Sequence, residues 1–168
     1  MRILFLGDIV GPSGCNVVKR FLPDIIKKRD LDFVVANGEN AADSGLGITE
    51  KISNELFSCG IDVLTTGNHV WDQKETAEHI EKEKKLLRPY NLTGPSPGKG
   101  FEIFFSKNNF KIGVLNLMGN VFMKKCDDVF INIEKFLNNY DLKKNYDFLV
   151  VDFHGEITSE KMAIGHLF

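Results

Sequence analysis

The sequence predicts an α/β protein, and three observations carry that reading. Short apolar runs alternate with helix-period segments through the first half of the chain. Four of the apolar runs end on clusters of polar residues. The centre holds a hairpin signature, so antiparallel strands interrupt the βα rhythm.

The elements follow in order. A first strand is expected over residues 2–6, where the run from Ile3 to Leu6 is continuously apolar, the pattern of a buried strand rather than a half-exposed one. Gly11-Pro12-Ser13-Gly14 breaks the chain, and Val17, Val18, Phe21, Leu22, Ile25 and Ile26 then recur at helical spacing, predicting a helix over about 14–28. A second strand falls at about 32–36. Thr49 is placed to cap a helix carrying Ile52, Leu56 and Phe57, with Gly60 at its C′ position. A third strand follows at about 62–66, and Asp72 with Glu75 resembles a capping box opening a charged helix to about 84.

Residues 89–100, rich in Pro and Gly, read as an irregular loop. FEIFFSK and FKIGVLNLM then flank Asn108-Asn109, a two-residue hairpin turn by its chemistry. A helix at about 128–139 and a strand at about 147–153 restore the earlier rhythm. Ser159 reads as the cap of a last helix whose apolar residues Met162, Ile164, Leu167 and Phe168 reach the final position. That ending reads as a cut chain, a docked terminal helix being the alternative.

At 168 residues the chain suits one domain, 1–168, with a substantial core. A hydrophobic fraction of 43% with 26% charged residues is that of a soluble globular protein. The net charge of -2 supplies no general attraction to nucleic acid or to an anionic membrane. The small groups Lys27-Lys28-Arg29, Lys84-Lys85 and Lys143-Lys144 read as solvated helix faces. Cys15, Cys59 and Cys126 form no CxxC and follow no secretory signal, so a reducing cytoplasmic compartment is expected. No apolar run approaches the ~20 residues needed to span a bilayer, so no membrane partner is expected.

The polar clusters carry the chemistry. MRILFL runs into Gly7-Asp8, FVVA into Asn37-Gly38-Glu39-Asn40, IDVLTT into Gly67-Asn68-His69, and DFLVVDF into His154-Gly155-Glu156. If the four runs are neighbours in one sheet, the clusters meet at the edge where open α/β sheets bind ligands. Asp8, Glu39, Asn40, Asn68 and His154 together offer carboxylate, amide and imidazole donors, a mixture suited to Mn, Fe or Zn. Glu39 is best placed to bridge two ions roughly 3.5–4 Å apart. Such a pair would clamp a phosphate while a shared hydroxide attacks phosphorus in line. His69 is placed to act as general acid or to stabilise phosphoryl charge.

Each residue also has an ordinary role open to it. Asp8 would serve as a turn or capping residue, Asn37, Asn40 and Asn68 as left-handed turn residues, and His154 as a satisfied core or surface histidine. Glu39 resists this, because a carboxylate after FVVAN with little basic residue nearby needs a cation. His79 sits in a charged helix and reads as solvated, and His166 takes no role. Gly94-Pro95-Ser96-Pro97-Gly98-Lys99-Gly100 has the wrong spacing for a P-loop, and Gly7, Gly11 and Gly14 miss the dinucleotide fingerprint.

Taken together, GDIVG, NGEN, GNHVWD and HGEITSEK resemble the signature blocks of the YmdB-type branch of calcineurin-like metallophosphoesterases. The likeness runs from Met1 to the last residue and takes in the RPYN…PGKG loop with the hairpin after it. It implies an α/β fold of two packed mixed β-sheets flanked by helices, and a phosphodiesterase acting on phosphodiesters, 2′,3′-cyclic nucleotides among them. It implies two divalent metal ions, Fe, Mn or Zn. Asp8 and Asn40 would bind the first, Asn68 and His154 the second, Glu39 both, and His69 would donate the proton. Where the wider superfamily carries a His two residues after the first Asp, this chain has Val10, and Asn40 would compensate.

The resemblance also implies a departure. Family members continue into a strand ending in Gly-Thr-His-Thr-His, and no HxH occurs in this sequence. Each ion would lose a protein ligand and the sheet at least one C-terminal strand. Two other readings follow. The chain would bind nucleotide or phosphate without turnover, in a regulatory or RNA-associated role. Alternatively, a homo-oligomer or a complementing C-terminal segment would complete the sheet.

Overall fold

The computed structural model describes residues 1–168. The first three apolar runs become β1 (Ile3–Leu6), β2 (Phe33–Asn37) and β3 (Val63–Thr65). They form an all-parallel sheet in the order β1-β2-β3. Its crossovers are α1 (Gly11–Arg29) and α2 (Glu50–Ser58). Next come α3 (Thr76–Lys82), β4 (Phe101–Phe105), β5 (Lys111–Met118), α4 (Val129–Asn139), β6 (Phe148–His154) and α5 (Thr158–Gly165). The second sheet runs β4-β5-β6, antiparallel between β4 and β5 and parallel between β5 and β6.

Strand alternation explains the layering. On β2, Val34 and Ala36 face the α1–α2 layer with Leu22, Leu56 and Leu64, whereas Phe33 and Val35 pack with Ile112 and Val114 of the other sheet. Both faces of β2 are therefore covered, which is why all five of its residues are buried. On β5, Leu115 and Leu117 turn outward onto Ile133 and Phe136 of α4 and Ile164 of α5. The result is a helix–sheet–sheet–helix sandwich.

The inner faces change character along the strands. Phe33, Val35, Val63, Ile112 and Val114 make the sheet–sheet contact apolar at its start. Two residues on, the same faces present Asn37, Thr65, Asn116 and Asp152, all buried and polar. They satisfy one another. Asp152 Oδ2 accepts from Asn37 Nδ2 at 2.9 Å and from Thr65 Oγ1 at 2.5 Å. Asn116 Oδ1 accepts from the Thr66 N–H at 3.0 Å. This seam pins the sheets together directly beneath the strand ends.

Several expectations are corrected. The four site-bearing strands do not share one sheet: β6 belongs to the second, and face-to-face stacking brings its end beside β2 and β3. Only one of the two sheets is mixed. The Asp72–Glu75 capping box does not form, and α3 begins at Thr76 with no side-chain cap. The reversal between β4 and β5 is longer than two residues, with Ser106 bonded to Phe110 and Asn109 at φ 63. Ser159 lies inside α5, whose cap position is Ile157, and the helix stops at Gly165. Thr49 and Asp128 do cap α2 and α4, accepting from Ile52 N and Ile131 N. No helix is long and apolar enough to cross a membrane.

Candidate metal centre

All five predicted ligand residues come together at the strand ends. Asp8 follows β1 and sits beside Asn40, whose Nδ2 donates to Asp8 Oδ2 at 2.8 Å and to Glu39 Oε1 at 3.3 Å. Glu39 Oε1 lies 2.9 Å from His154 Nε2, which is also 3.0 Å from Asn68 Oδ1. Asp8, Asn40, Glu39, His154 and Asn68 thus form one unbroken polar chain drawn from both sheets.

Local backbone features place them. Val10 bridges to Asn40, and Ile9 N–H donates to Asn37 O, which clamps the loop after β1 against the loop after β2. Asn37 Oδ1 accepts the Glu39 N–H at 3.1 Å, so the buried seam orients the carboxylate. Gly67 lies against this cradle: a Cβ there would run into the Glu39 carboxylate and the His154 ring.

The donor set fits a cation. Glu39 is only 2% exposed, and no Lys or Arg pairs with it. The imidazole of His154 is its one ionisable partner, and a carboxylate so buried gains from further positive charge. Asn40 Oδ1 is buried without any hydrogen-bond partner, an acceptor open to a metal ion. Burial alone would depress the His154 imidazole, but the hydrogen bond and charge of Glu39, with Asp152 and Asp8 behind, hold it above its ordinary range. No three His, Cys, Asp or Glu side chains converge closely enough to hold an ion by themselves, so an ion at this point would also need the Asn amides.

His69 lies on the same rim, its N–H 3.4 Å from Glu39 Oε2. Its Nδ1 is 2.6 Å from Asp72 Oδ2, and Lys124 Nζ donates to Asp72 Oδ1 at 3.2 Å. The hydrogen bond from His69, reinforced by Lys124, holds the Asp72 carboxyl below its usual range. Sequence reasoning read Asp72 as a helix cap. The spacing His-x-x-Asp in a strand-end turn was the available signal, since three residues suffice to return a side chain to its neighbour.

Asp152, Asn116, Gly67 and Lys124 were also missed. Burial pushes the Asp152 carboxyl up, against the hydrogen bonds from Thr65 and Asn37. His79, expected to be solvated, is 7% exposed, and its Nε2 is 2.7 Å from Ser53 Oγ, because α3 packs back onto α2. A cavity of about 730 Å³ between α1 and α2 is lined by residues including Cys15, Lys19, Glu55 and Gln73 and by none of the six site residues.

Fold and site together define an α/β sandwich with a strand-end centre of carboxylate, amide and imidazole donors beside a histidine–carboxylate pair. The chain belongs to the YmdB-like protein family, whose profile matches residues 4–168. It is 41% identical over 165 residues to the 2′,3′-cyclic-nucleotide 2′-phosphodiesterase of Bacillus subtilis, covering 98% of this chain and 61% of that one. A crystal structure of a hypothetical protein from Thermus thermophilus superposes with TM-score 0.89 at 36% identity, over 99% of this chain and 63% of that chain. A novel phosphatase from Mycoplasma pneumoniae gives TM-score 0.88 at 33% identity, over 99% and 59%. The chain therefore spans about three fifths of the length of these relatives.

Proposed function

We propose that this protein is a metal-dependent phosphodiesterase, with residues 1–168 working as one metallophosphoesterase unit because the site draws on both sheets. The observation that carries the reading is the continuous chain Asp8–Asn40–Glu39–His154–Asn68, with His69 on its rim. The names of the Bacillus and Mycoplasma relatives support a phosphoester substrate, and a 2′,3′-cyclic nucleotide is the candidate the first of them suggests.

Asp8 and Asn40 would hold one divalent ion, Asn68 and His154 a second, and Glu39 both. Mn, Fe and Zn suit this donor set. When bound, such ions neutralise phosphate charge and lower the pKa of water. The protein's own part is to fix the donors and to present His69 to the leaving oxygen. Asp72, an acceptor at Nδ1, leaves the His69 Nε2 as the nitrogen available to substrate.

Purified protein should hydrolyse bis(p-nitrophenyl) phosphate and 2′,3′-cyclic nucleotides with added Mn, and lose the activity to a chelator. Asp8→Asn and His69→Ala should each lower kcat by roughly 10²-fold or more. Full activity in either variant would sink the mechanism. A second reading, phosphate or nucleotide binding without turnover, is favoured by the small number of strong donors, two carboxylates and one imidazole for two ions. Tight binding of nucleotide with no hydrolysis under any of these metals would establish it instead.

A further inference from the structure

Residues 119–127, between β5 and α4, form a loop tied down at both ends and, between them, at Lys124. The Gly119 N–H donates to His154 O at 2.9 Å, so the loop starts on the backbone of a site residue. The Asn120 N–H donates to Glu160 Oε1 at 2.8 Å, and Asn120 Oδ1 accepts from Val129 N at 2.9 Å. At the far end the Asp127 N–H donates to Asn91 O at 2.8 Å, and Asn91 Nδ2 donates to Asp127 O at 2.9 Å. In between, Lys124 reaches Asp72, the residue holding His69.

Phe122 stands between these anchors and is 85% exposed. Its backbone is left-handed, φ 62, a conformation uncommon for a bulky residue. A single exposed aromatic needs no special explanation. The conjunction does: an unfavourable backbone angle, a loop fixed at both ends, and an apolar ring turned to solvent two residues from the Lys124 contact. Strained backbone of this kind collects at ligand-binding positions, where the surroundings hold it in place.

We infer that Phe122 is a specificity-determining residue, an aromatic platform on which the base of a nucleotide substrate stacks while its phosphate lies among Asp8, Glu39, Asn40, Asn68 and His154. The inference rests on the phosphodiesterase reading above and adds the group that would tell a nucleotide from a simple phosphoester. Base–aromatic stacking is tolerant of base identity because every base has a π-face, so this residue selects nucleotides as a class.

The test is calorimetric binding of adenosine 3′-monophosphate and of inorganic phosphate to the Mn-loaded protein, with hydrolysis followed in parallel. Phe122→Ala should weaken nucleotide binding about 5- to 150-fold, the range for a base losing one aromatic partner. Phosphate affinity should hold within about twofold, and Phe122→Tyr should restore nucleotide binding. Equal loss of both ligands in Phe122→Ala, or loss of neither, would overturn the inference. Wild-type protein that binds phosphate and cleaves bis(p-nitrophenyl) phosphate, yet takes the nucleotide no more tightly than phosphate, would overturn the stacking role alone. Failure of wild type to bind or cleave any of these removes the phosphodiesterase reading and this inference with it. A change of sedimentation state in Phe122→Ala with unchanged nucleotide binding would make Phe122 an interface residue instead, also overturning the inference.

Discussion

Asp72 and His69 are hydrogen-bonded at 2.6 Å, three residues apart in one strand-end turn, and Lys124 holds the second carboxylate oxygen from a loop 52 positions away. An ionised carboxylate only accepts, so the proton in this contact resides on His69 Nδ1. The pair fixes both the tautomer and the ring orientation of the residue proposed as general acid.

Asp72→Asn should therefore lower kcat by about tenfold to a hundredfold, part of the ~10²–10⁴ that a positioned general acid supplies. KM should change little. The loss should be greater for a poor leaving group than for p-nitrophenolate, and Asp72→Glu should recover part of it. Steady-state kinetics on two substrates of different leaving-group pKa decide the matter. An equal loss on both would reduce Asp72 to a structural role.

Gly67→Ala tests the cradle. A Cβ at this position meets the Glu39 carboxylate and the His154 ring, two of the proposed ligands. Overpacking of this kind costs about 1–3 kcal/mol. The larger effect should be on metal: a Mn-dependent rise in Tm present in the wild type should be absent from the variant. Differential scanning fluorimetry with and without Mn reads both quantities at once.

What was legible in the sequence was whatever the chain does locally. Every strand-end cluster lay within a few residues of its apolar run, so Asp8, Glu39, Asn40, Asn68, His69 and His154 could be named together from the sequence, and the structure brings them to one place. Thr49 caps α2 through a contact three residues long and was read as a cap; Asp128 caps α4 over the same span, where the sequence had been read only as a helix at about 128–139. Asp152 was not, because Asn37 and Thr65 reach it from 115 and 87 positions away. Its meaning exists only once two sheets stack. His79 failed for the same reason: the charges around it describe the outer face of α3, whereas its own side faces Ser53.

Asp152→Ala should show how far the seam supports both fold and site. It would leave the Asn37 amide and the Thr65 hydroxyl as buried donors without their shared acceptor. Each keeps only a longer contact, Asn37 Nδ2 to Thr66 O at 3.4 Å and Thr65 Oγ1 to Ala36 O at 3.3 Å, so a chemical melt should report a loss of about 1–3 kcal/mol. Because Asn37 also receives the Glu39 N–H, metal affinity should fall along with stability. Stability lost with metal affinity intact would mean that Asn37 keeps its place without Asp152.

Asp62 offers a prediction about pH that lies away from the site. Its Oδ2 accepts the Val34 N–H at 2.8 Å where β2 begins. Burial raises its carboxyl above the ordinary range, against that hydrogen bond and the charges of Lys85 and Lys107. The folded state therefore holds this proton more tightly than the unfolded chain does. The resulting stability is fully present below the unfolded carboxylate pKa and is lost as pH rises through the folded one. At neutral pH the ionised, partly desolvated group is a net cost. Asp62→Asn keeps an acceptor for Val34 and carries no charge, so it should raise Tm at pH 7. The gain should shrink and vanish as pH falls below the ordinary carboxylate range. Parallel melts from pH 3 to 8 check this, and a gain independent of pH would show that the ionised carboxylate is not its source.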